Sequence, residues 1–175
     1  MKKEAMLEGN ISLILDSYND IFSDFDPRPA SERALSDDFL NECRKASRDK
    51  HIDHGLEVRL LVPKTKRDNA LEQVIKGRLR NHFRKHDTQK AKETQRTKRH
   101  GMLWIVAGAM FSLIATSIQM HEHPLLRFAF VIFEPAGWFS FWTGFERLIL
   151  IPTHKQAEIE FYRKMAHSTV TFGSY

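Results

Sequence analysis

The stretch GMLWIVAGAMFSLIATSIQM, residues 101–120, carries no charged side chain. Global averages hide it, because mean hydropathy is −0.43 and 28% of residues are charged, values that read as a soluble chain. As a helix, residues 102–119 would reach roughly 27 Å, close to the hydrocarbon thickness of a bilayer. A chain of 175 residues has too little other apolar surface to wrap such a helix in water. Trp104 stands near one end, where an aromatic side chain anchors a span at the interface.

A second apolar run follows at residues 125–151. It is rich in aromatics and less clean, with Arg127 near its start, Glu134 inside it, and Glu146 and Arg147 toward its end. Its centre, PAGWFSFWTGF at residues 135–145, is uncharged. Arg127 can snorkel to headgroups. Glu134 is costly in hydrocarbon and must be protonated, paired or wet. Pairing with Arg127, two turns away on one helical face, is one solution, with Pro135 kinking the helix. Between the runs lie His121-Glu122-His123-Pro124, a link that permits only an antiparallel hairpin.

Charge orients the hairpin. Residues 76–100 hold ten Lys or Arg against Asp87 and Glu93, whereas the link holds no Lys or Arg. The positive-inside rule therefore places residues 1–100 and 152–175 in the cytoplasm and the link outside. No secretory signal is expected, since the apolar run 11–15 stops at Asp16. The single cysteine, Cys43, fits a reducing compartment and reads as a buried helix residue.

The expected fold is a membrane α-helical hairpin with a small α+β cytoplasmic domain. The expected boundaries are 1–83 for the domain, 84–100 for a basic juxtamembrane helix or linker, and 101–120 for the first span. Then come the link at 121–124, the second span at 125–151 and an amphipathic segment at 152–175. Residues 11–15 and 57–62 read as strands, the latter ended by Pro63. The prolines in Asp24–Pro29 predict a turn or extended loop. Ser36 predicts an N-cap, with Phe39, Leu40, Cys43 and Ala46 forming a helical stripe. A further helix begins near Asp68 with Leu71, Val74, Ile75, Leu79 and Phe83 on one face. It either continues through the basic segment or gives way to a tether. Residues 156–166 read as an amphipathic helix, and 170–172 as a short strand.

Phe25-Asp26-Pro27-Arg28-Pro29, the helix after Ser36, the strand 58–63, the helix ending near Phe83 and the basic stretch occur here in one order. Phe133-Glu134-Pro135-Ala136-Gly137-Trp138, Phe141-Trp142 and Glu146-Arg147 follow. This order resembles a widespread group of small bacterial two-span membrane proteins of unknown function. The resemblance implies the architecture and no activity.

The candidate chemistry is sparse. Arg80 and His86 have the R-x5-H spacing of a class of metal-independent ribonucleases, and Arg147 and His154 have R-x6-H. Such spacings arise by chance among 27 Lys and Arg and nine His. His82 and His86 are four apart, a zinc-compatible spacing on a helix, but Phe83 occupies the position where a metalloprotease needs Glu. His51-Ile52-Asp53-His54 and His121-Glu122-His123 are too short to complete a coordination sphere from one chain. Asp16, Asp20, Asp24 and Asp26 lack the Gly and Glu of a calcium loop and read as turn formers. No phosphate-binding glycine loop or nucleophile elbow is present, so neither cofactor nor metal is expected.

Arg84, Lys85, Lys90, Lys92, Arg96, Lys98 and Arg99 read as a polybasic surface for anionic lipid headgroups, with nucleic acid the more remote partner. Gly137, Ser140 and Gly144 offer small side chains for close helix packing. Two thin spans bury little by themselves, which predicts a homo-oligomer. The leading expectation is a non-enzymatic membrane-anchored scaffold or sensor that presents its domain to a cytoplasmic partner. A pore with Glu134 near its path comes second, and a membrane-tethered ribonuclease third.

Overall fold

A computed structural model describes residues 10–48 and 56–175. The chain is mostly helical, with one small sheet. In order come β1 (Asn10–Ile14), a 3-10 turn (Tyr18–Ile21), α1 (Asp37–Ser47), β2 (Glu57–Val62) and α2 (Asn69–Gln119). α3 (Pro124–Phe145), a π-helical segment (Glu146–Leu150), a single turn (Ile151–His154), α4 (Gln156–Ala166) and β3 (Thr169–Ser174) complete it. Two compact units result: Met1–Thr88 with Glu158–Tyr175, and Gln89–Ala157.

The sheet is wholly parallel in the order β1-β2-β3. The α+β expectation left strand order open; parallel pairing means that helices alternate with the strands. When spatial order follows chain order, crossovers of the usual right hand place their helices on the same face. That face holds the core. Val58, Leu60 and Val62 point into it, in register with Ile11, Leu13, Val170 and Phe172. Phe39 and Cys43 of α1, Ile75, Leu79 and Phe83 of α2, and Phe161 and Met165 of α4 close over them. The opposite face carries Ser12, Ile14 and Arg59, all exposed.

The 156–166 stretch was expected to be amphipathic, and its apolar face packs into this core. The strand expected at 170–172 extends to Thr169–Ser174 and becomes an edge of the sheet. All of Gln89–Ala157 is therefore an insertion in the crossover between β2 and β3.

Helix starts follow local chemistry. Asp68 caps α2, its Oδ1 accepting from the N–H groups of Ala70 (2.9 Å) and Leu71 (3.2 Å). Ser36 occupies the N-cap position of α1, but its side chain makes no capping bond. Val74, expected in the apolar face, is 43% exposed, and the buried stripe runs instead through Glu72, Ile75, Leu79 and Phe83. Glu72 tolerates burial because Arg67 donates to both of its carboxylate oxygens (2.7 and 2.8 Å) and Tyr18 Oη donates to it (2.8 Å). The Arg67 guanidinium holds that carboxyl below the usual range.

The basic segment is helical, part of the single 51-residue α2, not a tether. α2 is long and apolar enough to cross a membrane by length and composition. α3 runs through Pro135. The π segment lies just before Pro152, which has no N–H to offer the carbonyl of Leu148; a widened turn relieves that mismatch.

Candidate functional site

Within Gln89–Ala157, α2 and α3 form an antiparallel pair whose backbones meet at glycines. A Cβ on Gly101 would lie 2.9 Å from the carbonyl oxygen of Gly144, and one on Gly144 would lie 2.7 Å from that of Gly101. Seven residues along each helix the approach repeats: a Cβ on Gly108 would stand 3.0 Å from Gly137 O, and one on Gly137 would stand 2.6 Å from Ser112 Oγ. Ser140 is buried, its hydroxyl donating to Ala136 O at 2.7 Å. Gly137, Ser140 and Gly144 are thus buried, and the two glycines meet the chain's own other helix. The sequence reading missed their counterparts on α2. Gly101, Gly108 and Ala115 recur every seven residues, a spacing that keeps small residues on one face and was there to be read.

The outward surface of this pair is apolar. Leu103 is 60%, Leu113 69%, Phe128 67% and Trp138 73% exposed. Glu134 is exposed too. Arg127 lies on the same side of α3 but forms no ion pair with Glu134 among the described residues, contrary to one expected solution for that carboxylate. At the end of the pair that borders the basic segment, His100, Leu103, Trp104, Ala107 and Arg147 line a shallow recess of about 420 Å³.

Arg84, Lys85, Lys92, Arg96, Lys98 and Arg99 are exposed along α2. Lys90 is half-buried beside Glu93 (4.0 Å), which also pairs with Lys155 at 2.6 Å.

The catalytic candidates part company. Six residues apart on one helix, Arg80 and His86 point about 120° from each other. Arg80 lines a cleft with Lys76 and Thr169. His86 stacks on Tyr162 (5.0 Å, 18° between planes) and lies 4.4 Å from the His82 ring. His82 Nε2 is buried with no hydrogen-bond partner among the described residues. Burial pushes its pKa down to about 4, helped by His86, Arg78 and Lys85. A zinc ion at this pair would need further ligands, and no group of three or more His, Cys, Asp or Glu is placed to hold a metal among the described residues. His51, Asp53 and His54 lie outside the described residues.

Asp26 organises the loop before α1. Its carboxylate accepts from Arg28 Nε (2.9 Å) and Nη2 (2.7 Å) and from the N–H of Ala34 (2.7 Å), which holds it well below the usual carboxylate range. Asp20 accepts from the N–H groups of Asp16 and Ser17. These aspartates build turns. Cys43 is buried, and burial pushes its thiol up to about 12, too high for a nucleophile at neutral pH.

No family model, no curated protein and no solved structure matches this chain.

Proposed function

We propose that this chain is an integral membrane protein of two spans, near residues 101–120 and 125–151. It carries its sheet unit on the cytoplasmic side, associates with copies of itself, and acts as a non-enzymatic scaffold or sensor. The observation that carries the reading is the exposed apolar surface of α2. Only 17% of its apolar window is buried, whereas the core helix of a soluble protein would be mostly covered. Lipid is the solvent that tolerates such a surface.

Sheet pairing supports a second crossing. β2 and β3 are hydrogen-bonded neighbours, so residues 57–62 and 169–174 share one side of any membrane. A crossing by α2 between them requires a return, and α3 is the helix available to make it. Charge orients the pair: the exposed cations from Arg84 to Arg99 favour the cytoplasmic leaflet, at about 1 kcal/mol per residue near anionic headgroups.

Self-association draws support from the outer face of α3. There Glu134 lies among Val131, Trp138 and Phe145, all exposed. A lone carboxylate facing lipid costs about 2.5–3.5 kcal/mol on insertion scales, and a second copy would cover it. The same exposure favours a second reading, an oligomeric pore with Glu134 beside its path.

Cysteine accessibility tests the reading, because Cys43 is the sole cysteine and is buried. In intact cells, Glu122→Cys is expected to react with an impermeant maleimide, and Tyr175→Cys only after permeabilisation. Purified chain in detergent is expected to have the mass of more than one copy. Chain that stays in the aqueous fraction without detergent, or a Tyr175→Cys labelled from outside, overturns the proposal. Ion flux in proteoliposomes that changes with Glu134→Gln selects the pore.

A further inference from the structure

We propose that the cleft between α2 and the start of β3 binds the phosphate group of a small phosphate monoester, gripped by Lys76 and Arg80. The cleft has a volume of about 340 Å³, within the range of small-molecule sites. One wall is a single stripe of α2, Gln73, Lys76, Gly77 and Arg80, at spacings that share a helix face. The other is Ser168, Thr169 and Val170, with Phe83 and Met165 beneath.

The chemistry of this lining is one-sided. It holds two cations and no acid. Like charges four apart on a helix repel, and an anion between them removes that cost. Glu72, four residues before Lys76, also attracts that ammonium, but its carboxylate oxygens are bonded by Arg67 and Tyr18. The Lys76 ammonium sits 5.8 Å from the centre of the Phe172 ring, a cation–π contact that restrains it. The Ser168 hydroxyl already donates to Met165 O (2.8 Å), leaving the Gln73 amide and the Thr169 hydroxyl as neutral donors. A dianionic phosphate matches two cations and two neutral donors, and the apolar floor accepts a short carbon chain. At Gly77 a Cβ would meet nothing within 4 Å, so the middle of the wall is open.

The phosphate could belong to a soluble ester or to a phospholipid headgroup, and the test separates them. Full-length chain in phosphatidylcholine nanodiscs is titrated calorimetrically at physiological salt with glycerol 3-phosphate and, separately, with short-chain phosphatidic acid. Saturable binding of at least one is expected. Binding of the soluble ester assigns the site to soluble ligands, and binding of the lipid alone assigns it to headgroups. Arg80→Gln and Gly77→Glu, both at exposed helix positions, are each expected to weaken binding at least tenfold with unchanged circular dichroism. Saturable binding of neither probe, or binding that both variants leave intact, overturns the proposal. The membrane reading is untouched by that failure, since insertion is scored separately.

Discussion

His82 shows what burial does to one side chain. Its ring lies against those of Phe83 and His86, with Arg78 and Lys85 adding positive potential, and its Nε2 has no hydrogen-bond partner among the described residues. The folded chain therefore holds this imidazole neutral to about pH 4, whereas an unfolded histidine protonates near 6.5. Between those values the unfolded state binds more protons, so stability falls as pH drops from about 6.5 toward 4. Replacing the ring with a side chain that cannot titrate removes that loss. His82→Leu is expected to keep its urea midpoint, followed by far-UV circular dichroism, more nearly constant from pH 7 to 5 while the parent chain weakens. Equal pH slopes would show that His82 is not the titrating group. Glu72 acts in the same direction at lower pH: its depressed pKa contributes stability above the usual carboxylate range that is lost as pH falls through the folded value. The histidine spacing was visible in the sequence, but its meaning was not. A four-residue interval says that two rings share a helix face, and only the packing of Tyr162 shows that the face is covered.

At the scale of elements, two glycines on α2 and α3 behave in opposite ways. Gly144 has backbone and Ile105 within 2.9 Å of where a Cβ would sit. Gly77 has open space. Gly144→Leu is expected to force α2 and α3 apart and cost about 1–3 kcal/mol, the range for overpacking a filled contact. Gly77→Ala is expected to stabilise the chain by about 0.5–1 kcal/mol, because alanine loses less entropy in a helix. Thermal midpoints in one detergent read both, and shifts of the same sign would contradict the geometry. The element types were largely legible beforehand. Alternation in 57–62, the helix start near Asp68 and the uncharged run after Gly101 each rest on local chemistry. The handling of Pro152 by a π turn was not, since a proline can equally end a helix.

For the whole molecule, the last strand matters out of proportion to its length. β3 pairs along all of β2 and brings Val170 and Phe172 to the core, so Glu158–Tyr175 closes a unit begun before α1. Removing residues 169–175 is expected to unfold that unit and, on the proposed two-span reading, to leave the insertion of α2 and α3 intact. Cys43 would then become reactive toward a maleimide, with the carbonate-resistant membrane fraction unchanged. A thiol that stays protected would show that the sheet survives on two strands.

By itself the sequence determined where apolar surface concentrates, which borders carry positive charge, and which short segments become helix or strand. Those are properties of neighbours in the chain, decided within a turn or two by side-chain solvation and backbone preference. The tertiary structure alone decided the parallel order of the strands, the register in which the glycines of α2 meet those of α3, and the cleft that gathers Lys76, Arg80 and Thr169. Each joins residues far apart in sequence, and such pairings are selected by shape and burial in the folded chain, which no local pattern encodes.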